Sequence, residues 1–279
     1  MAGERKTALV TGASSGIGAE LARIHAEHGG DLVVVARRQE RLESLKMELE
    51  AAHGVTVHVL PKDLTQAEAP QQICDEVRSL RVTIDYLVNN AGFGYRGFFH
   101  NQDWATNEAM IKVNILALAA LTWLFVPDMV ARHSGRILNV GSMAGFLPGP
   151  LNAVYYASKA FVLSFSEAVA NELRHTGVTV TVLCPGPTES EFTRTAQMSD
   201  VNLTRTMASA RQVAEAGYEA MLRGKTVIVP GLANKVTIHG LLRLSPRRLS
   251  TRISRILMEK RNPDAKIRTY TDRQIRRNQ

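Results

Sequence analysis

The chain has 279 residues, of which 45% are hydrophobic and 22% charged, with a formal net charge of +8. This size and composition allow a large buried core, so we expect one α/β domain followed by a tail. Cys74 and Cys184 imply no disulfide framework, and the N-terminus has no apolar segment of signal-peptide length. The longest apolar run, Ile115 to Val126, is shorter than the roughly 20 residues that span a bilayer. These features predict a cytoplasmic protein.

The positive charge is concentrated at the C-terminal end. From Asn234 onward there are 13 Lys and Arg against 3 Asp and Glu, a net of +10, whereas the remainder has 21 against 23, a net of −2. The nearly neutral body has no helix-turn-helix, zinc or RNA-binding pattern, so no nucleic-acid partner and no metal site are predicted. We therefore divide the chain into a main domain, residues 1–233, and a basic extension, residues 234–279.

The first predicted elements are a strand, a glycine-rich turn and a helix. Thr7 to Val10 is a short β-prone run, and TGASSGIG leads from it into an apolar-periodic helix. In this context Gly12 allows the tight turn, Gly16 a close approach of backbone to a pyrophosphate, and Gly18 close helix packing. The helix N-terminus adds N–H groups and a favourable dipole. The pattern predicts a dinucleotide site, with candidate contacts at Gly12, Ser14, Ser15, Gly16, Ile17 and Gly18.

The end of the second predicted strand, Asp31 to Ala36, indicates which dinucleotide is bound. An NAD site usually has Asp or Glu there to accept hydrogen bonds from the adenine ribose, but here Ala36 is followed by Arg37 and Arg38. Two guanidinium groups favour the 2′-phosphate of NADP. The alternative is that both arginines are solvated at the start of a helix.

Polar residues follow the next two predicted strands. Val55 to Leu60 precedes Asp63 and Leu64, although a lone Asp after a strand is usually a helix cap. Ile84 to Val88 leads into Asn89 to Gly92, and Asn114 then begins a strongly apolar helix. An amide in such surroundings needs hydrogen-bond partners, which a buried water or the helix backbone would supply.

Ile137 to Lys159 carries the candidate catalytic groups. A β-branched strand leads to Ser142, and a helical pattern then contains Tyr155 and Lys159 one turn apart on the same face. A lysine ammonium beside a phenol favours the ionised form of the phenol and makes proton exchange feasible near neutral pH. Tyr156 lies three residues before Lys159, so helix spacing alone permits either tyrosine.

The remaining elements complete an alternation of strands and helices. Val178 to Leu183 predicts the sixth strand, Ser209 to Arg223 a helix, and Thr226 to Val229 the seventh strand. The polar, irregular stretch from Phe192 to Met207 is typical of a mobile flap over a substrate. Alternating strands and helices predict a parallel, doubly wound seven-stranded sheet with helices on both faces.

The extension contains a predicted amphipathic helix that begins near Pro246. Its apolar residues at helical spacing are Leu249, Ile253, Ile256 and Leu257. Arginines and lysines occupy much of the remaining surface. Basic amphipathic helices bind anionic membranes, but they also pack on their own domain or on a second subunit. The alternatives are therefore peripheral membrane contact, intramolecular packing and subunit association.

Taken together, these motifs resemble the short-chain dehydrogenase/reductase family from about Thr7 to Pro230. The resemblance implies a Rossmann-like single domain and a homodimer or homotetramer. It implies a catalytic set of Asn114, Ser142, Tyr155 and Lys159, and it selects Tyr155 over Tyr156. It also implies cofactor contacts at Asp63, Leu64, Asn90, Ala91, Gly92, Tyr155, Lys159, Pro185, Gly186, Thr188 and Ser190. The usual Thr of the motif after Pro185 and Gly186 aligns with Ser190, which leaves that contact open.

The resemblance implies an NADP(H)-dependent oxidoreductase that interconverts a carbonyl and an alcohol, with Tyr155 as general acid/base. Six apolar residues near the site favour a lipophilic small substrate, the alternative being that they belong to the core: Phe93, Tyr95, Met143, Phe146, Leu147 and Leu151. The alternative is a non-catalytic NADP-binding sensor or scaffold with the same fold.

Overall fold

The computed structural model describes residues 5–189, 207–242 and 246–260. Nine strands occur in these ranges: β1 Thr7–Thr11, β2 Asp31–Ala36, β3 Val57–Pro61, β4 Tyr86–Asn89, β5 Gly135–Val140, β6 Val178–Leu183, β7 Thr188–Glu189, β8 Ala208–Ser209 and β9 Val227–Ile228. Seven of them form one sheet in the order β3-β2-β1-β4-β5-β6-β9, and every pair is parallel. The predicted seven-stranded doubly wound sheet is confirmed.

The helices lie on both faces of this sheet, as predicted. They are α1 Gly16–Glu27, α2 Gln39–His53, α3 Ala69–Ser79, α4 Trp104–Ile111, α5 Leu118–Ala131, α6 Ala153–Glu172, α7 Ala210–Leu222, α8 Leu232–Lys235 and α9 Arg247–Lys260. One core cluster contains Leu21 of α1 and Val213 of α7, and a second contains Ile73 of α3 and Leu121 of α5. The strand order reverses between β1 and β4, and ligands of open parallel sheets bind at the carboxyl ends of the strands beside such a reversal.

The helix that carries Asn114 is longer than the apolar run from Ile115 to Val126. A π-helical segment, Lys112–Ala117, joins α4 to α5, so one helix runs from Trp104 to Ala131. By length and composition alone, its 28 residues could cross a membrane. Leu121, Phe125 and Met129 of α5 are nevertheless buried in the core against the sheet. A core helix of this kind is only weak evidence of a membrane protein.

Several predicted boundaries and one element differ from the structure. The third strand begins at Val57 rather than Val55, and the seventh is limited to Val227–Ile228. The two-stranded parallel pairing of β7 with β8 was not predicted. Ser190 and the predicted flap up to residue 206 lie outside the described residues.

The C-terminal extension begins with residues that pack on the main domain. A second π-helical segment, Val236–Leu242, follows α8, and its Ile238 is buried in a cluster with Val182 and Cys184. The predicted boundary between the main domain and the extension, at residues 233 and 234, stays a prediction, because the first residues of the extension pack on the main domain. Pro246 directly precedes α9, which agrees with the predicted helix start.

Candidate active site

Ser142 lies just beyond the carboxyl end of β5. Its backbone is extended and it caps a short 3₁₀ turn, Met143–Phe146, with its Oγ accepting from the backbone N–H of Ala144 at 3.1 Å. The Ser142 hydroxyl also makes a hydrogen bond with the phenol of Tyr155. The strand end, the turn and the capping bond thus fix the Ser142 hydroxyl beside Tyr155.

Helix α6 brings Tyr155 and Lys159 to the same strand end. Both side chains are buried, and Lys159 is only 5% exposed. The Lys159 Nζ donates to the carbonyl oxygen of Val140, the last residue of β5, at 2.8 Å. The same Nζ is 5.9 Å from the centroid of the Tyr155 ring. Ser142, Tyr155 and Lys159 are therefore brought together, as the sequence predicts.

The protonation of Tyr155 and Lys159 is dominated by their burial. Burial raises the pKa of Tyr155 to about 12, and the hydrogen bond with Ser142 opposes this shift. Burial also lowers the pKa of Lys159 to about 8. The sequence-based expectation that Lys159 lowers the pKa of the phenol is not met in the chain alone, because the ammonium bonds to the Val140 carbonyl and loss of water disfavours both charged forms.

Asn114 lies in the π-helical segment and joins three parts of the site. Its Oδ1 accepts from the backbone N–H of Phe93 at 3.1 Å, and its Nδ2 donates to the Phe93 carbonyl and to the Ser158 Oγ, both at 3.0 Å. These bonds connect the loop after β4 to α6. They satisfy most of the amide's hydrogen-bonding capacity, and two of the three partners are backbone groups.

The backbone near Gly92 is closely surrounded by catalytic candidates. A Cβ at Gly92 would lie 3.0 Å from the Oδ1 of Asn114 and 3.5 Å from the Nζ of Lys159. A Cβ there would be tight against the Asn114 amide oxygen and in ordinary contact with Lys159, so glycine at this position leaves room for the Asn114 side chain.

Asn90 holds the glycine-rich turn against the end of β4. Its Nδ2 donates to the carbonyl oxygens of Thr11 at 2.9 Å and Gly12 at 3.3 Å. The Thr11 Oγ1 accepts from the backbone N–H groups of Asn90 and Ala91. A Cβ on Gly12, which has a φ of 68°, or on Gly18 would collide with the Asn90 amide. This packing leaves the backbone of the turn as the surface available to a ligand.

Arg38 also contacts the glycine-rich turn. Its Nη2 donates to the Ser14 Oγ at 3.0 Å and to the Ser15 Oγ at 2.9 Å, while Arg37 is exposed next to it. A cleft of about 550 Å³ opens between α1 and α2 beside this cluster, lined by donors such as Ser14, Ser15 and Arg41 and also by the carboxylates of Glu40 and Glu48. Guanidinium and hydroxyl donors beside a helix N-terminus fit the phosphates of a dinucleotide.

The other predicted cofactor residues occupy less distinctive positions. The Asp63 Oδ1 accepts from the backbone N–H of Thr65 at 3.0 Å, so this carboxylate caps a turn, and Leu64 is buried in the core. Ile17 packs partly buried against the core under the glycine turn.

After β6, three predicted residues line the end of the sheet. The Pro185 carbonyl accepts from the backbone N–H of Met143 at 3.0 Å, which connects this loop to the turn after Ser142. The Thr188 Oγ1 donates to the Gly186 carbonyl at 3.0 Å. A Cβ at Gly186 would lie 2.8 Å from the Nδ2 of Asn234, so α8 packs closely on the loop.

Two residues of the site were not singled out by sequence reasoning. Cys184 is fully buried, its Sγ would lie 3.2 Å from a Cβ on Gly141, and burial raises the pKa of its thiol to about 12. Asn152, one turn before Tyr155, is buried with neither amide atom partnered among the described residues. Its position as N-cap of α6 was the one available signal.

Apolar side chains surround Tyr155 and Tyr156. The cluster consists of Met110, Ala144, Leu151, Tyr155 and Tyr156, with Phe93, Tyr95, Phe98, Leu147 and Val154 packed against it. Four of the six predicted pocket residues thus lie beside the catalytic candidates, whereas Met143 and Phe146 pack against the cluster that contains Val182 and Cys184.

Comparisons with known proteins agree with this arrangement. A family model for short chain dehydrogenases matches residues 6–201. The chain is 34% identical to the ketoacyl reductase HetN of Nostoc sp. over 83% of this chain and 80% of that protein. It superposes with a TM-score of 0.76 on a short-chain dehydrogenase from Sphingobium yanoikuyae solved with NADPH, at 33% identity over 87% of this chain and 97% of that chain.

A second solved structure carries the other dinucleotide. The short-chain dehydrogenase/reductase from Burkholderia phymatum in complex with NAD has a TM-score of 0.75 and is 27% identical over 86% of this chain and 92% of that chain. Proteins of this fold therefore include both NAD and NADPH complexes. On its fold, on the arrangement of its site and on these matches, the chain belongs to the short-chain dehydrogenase/reductase family.

Proposed function

We propose that the protein is an NADP(H)-dependent oxidoreductase that interconverts a carbonyl and an alcohol on a lipophilic small substrate. The observation that carries the proposal is the meeting of Ser142, Tyr155 and Lys159 at the carboxyl end of β5, with Asn114 bonded to the neighbouring turn of α6. A binding protein without turnover has no chemical need for a buried phenol hydrogen-bonded to a serine beside a buried amine.

NADP is favoured over NAD by the charges around the end of β2. No carboxylate follows this strand directly, because Ala36 is succeeded by two arginines. Arg38 converges with the hydroxyls of Ser14 and Ser15 on the glycine turn. These donors suit a phosphate ester, whereas a bare ribose would need an acceptor.

In the proposed reaction a nicotinamide dinucleotide, held by the glycine-rich turn and Arg38, would supply the hydride in reduction and accept it in oxidation. Tyr155 donates a proton to the carbonyl oxygen in reduction and removes it in oxidation. Ser142 donates a hydrogen bond to the same oxygen, where negative charge develops. The Lys159 Nζ, 5.9 Å from the centroid of the Tyr155 ring, places a positive charge beside the phenol as its proton leaves.

The proposal of a lipophilic substrate is based on the apolar side chains around the site. Aromatic and aliphatic side chains from the loop after β4 and from the turn after Ser142 pack around the two tyrosines. Binding in such surroundings gains free energy from apolar area removed from water.

NADPH consumption by the purified chain tests this function. The panel should contain ketones and aldehydes of increasing apolar size, and the control is Tyr155→Phe, which keeps the shape of the site. We expect oxidation of NADPH with apolar ketones and its loss in the variant. Tight NADPH binding without turnover of any panel member would instead support the sensor or scaffold alternative.

We also propose a homodimer or homotetramer formed through α5 and α6. Trp123 of α5 is 74% exposed, and Leu116 in the π-helical segment is exposed as well. On α6 the rings of Phe161 and Phe165 are stacked, with their centroids 5.5 Å apart. Exposed apolar groups on neighbouring helices are typical of subunit contacts. Native mass measurement on the wild type and on Trp123→Glu tests this, with a smaller assembly expected for the variant.

A further inference from the structure

Helix α9 packs on the main domain through a face that its apolar pattern does not predict. Ser250 and Ser254, one turn apart, are buried, and Ser254 is only 1% exposed. The Arg255 guanidinium carbon lies 5.3 Å from the centroid of the Phe98 ring. Because Phe98 packs against the cluster around Tyr155 and Tyr156, α9 lies next to the candidate active site.

Two of the apolar residues of α9 are left exposed by this packing. Leu249 is 48% exposed and Ile256 is 50% exposed. They are seven residues apart, two turns along the same face of the helix, with Arg252 between them. Arg248 and Arg252 are exposed as well. This face therefore combines apolar and cationic side chains.

Two exposed aromatic residues lie in and just after the segment that α9 contacts through Phe98. Phe99 follows Phe98 directly and is exposed, and Trp104 at the start of α4 is 61% exposed. The Gln102 Nε2 donates to the Gly97 carbonyl at 2.9 Å, which holds the intervening segment as a compact loop. We call Phe99, Trp104, Arg248, Leu249, Arg252 and Ile256 the outer surface.

We propose that the outer surface docks on an anionic lipid bilayer. Aromatic and aliphatic side chains enter the headgroup boundary, while arginines beside them bind anionic headgroups. The charge of the chain from Asn234 onward, a net of +10, adds attraction to such a surface. A second copy of the chain is a poorer occupant, because isologous contact would bring the arginines of both copies together.

Docking in this orientation faces the active-site side of the molecule toward the lipid. Phe98 contacts α9 through Arg255 and also packs against the cluster that includes Tyr155. A lipophilic substrate dissolved in the bilayer would then have a short path to the site. This consequence rests on the proposed function, whereas the docking itself does not.

Vesicle sedimentation with the full chain tests the proposal. The probes are phosphatidylcholine vesicles and vesicles of phosphatidylcholine mixed with phosphatidylserine. We expect binding to the anionic vesicles alone, weakened by salt. The double variant Arg248→Gln/Arg252→Gln should bind roughly thirtyfold more weakly, at about 1 kcal/mol per cation removed. The matched control Arg174→Gln/Arg223→Gln removes two exposed arginines elsewhere and should bind as the wild type does.

The apolar part of the surface is tested by Leu249→Ser/Ile256→Ser and by tryptophan fluorescence. The chain has two tryptophans, Trp104 and Trp123, so each single substitution by Phe leaves one reporter. On anionic vesicles the emission of Trp104 should shift to shorter wavelength in Trp123→Phe, and that of Trp123 should not shift in Trp104→Phe. The Leu249→Ser/Ile256→Ser variant should lose both sedimentation and the Trp104 shift.

Several outcomes would overturn the proposal. They are equal binding to both vesicle types, no loss of binding in either α9 variant, or an unchanged Trp104 spectrum on vesicles. A lower native mass of Leu249→Ser/Ile256→Ser without vesicle binding by the wild type would identify a second copy as the occupant and also reject lipid docking. NADPH oxidation with a water-soluble ketone, measured without vesicles, separates failure of docking from failure of the proposed function.

Discussion

The side-chain amide of Asn114 donates to the Ser158 Oγ at 3.0 Å, which connects the π-helical segment to α6 across 44 residues of sequence. The same amide pairs with both the N–H and the carbonyl of Phe93. Asn114 therefore holds the loop after β4 in place against the helix that carries Tyr155 and Lys159.

Replacing Asn114 with Ala should destabilise the fold as well as slow turnover. The backbone N–H and carbonyl of Phe93 would lose their partner in a partly buried place, which costs about 1–3 kcal/mol. Urea unfolding followed by circular dichroism measures the change. Asn101→Ala, at an exposed position, is the matched control and should be close to neutral. Equal effects of the two substitutions would contradict the bracing role.

Arg38 should contribute more than Arg37 to cofactor choice, because its guanidinium already lies against the hydroxyls of Ser14 and Ser15. Arg38→Ala should weaken NADPH binding roughly tenfold or more and affect NADH far less, as expected for a lost charge-assisted bond. Fluorescence titration of each variant with both cofactors checks this. Arg37→Asp removes a cation and restores a ribose acceptor, so it should narrow or invert the preference. Tighter binding of NADH than of NADPH by the wild type would refute the assignment.

His25 predicts a pH dependence of stability that is separate from catalysis. Its Nδ1 lies 2.9 Å from the Tyr218 hydroxyl and its Nε2 lies 2.9 Å from the Lys6 carbonyl, and burial lowers the pKa of the imidazole. The unfolded chain binds this proton more readily than the folded chain, so the free energy of unfolding falls as the pH drops below the ordinary value of about 6.5.

Unfolding curves between mildly acidic and neutral pH measure this effect. His25→Gln retains a donor and an acceptor without a titrating ring, and it should reduce the dependence of the unfolding free energy on pH. His53→Gln, at an exposed position, is the control and should leave that dependence unchanged. A wild-type chain whose stability is independent of pH across this range would count against the buried neutral imidazole.

The sequence predicted the sheet well because its strands are buried on both faces and read as continuous apolar runs. All five residues of β1 are buried, for example, and Asp31 to Ala36 and Val178 to Leu183 match β2 and β6 as predicted. The pairing of β7 with β8 could not be predicted in this way, since two-residue strands carry no periodic signal.

Features that depend on distant partners were also inaccessible to the sequence. The partners of Asn114 are 21 and 44 residues away, and the shift in the pKa of Tyr155 depends on how completely the fold removes water from it. The orientation of α9 is a further case. Its apolar stripe left open whether Leu249 is covered by the domain, and in the structure the face with Ser250 and Ser254 is buried while Leu249 is exposed.

Tyr155 and Tyr156 are adjacent and both buried, with ring centroids 6.1 Å apart and ring planes at 76°. The two tyrosines differ in the residues that they contact. Tyr155 makes the hydrogen bond with Ser142 and has the Lys159 Nζ near its ring. The Tyr156 ring instead packs so closely on the Gly149 turn that a Cβ there would collide with it.

Tyr155→Phe should therefore lower turnover by about 10² to 10⁴ while NADPH still binds, because it removes the transferable proton with little change of shape. Tyr156→Phe is the matched control, since it removes the neighbouring hydroxyl from the same helix and should leave most turnover intact. Steady-state rates with an apolar ketone, together with NADPH titration, distinguish the two. If Tyr156 were essential and Tyr155 dispensable, the role of proton donor would pass to Tyr156 and the reductase proposal would survive. The tyrosine bonded to Ser142 would then take no part in proton transfer.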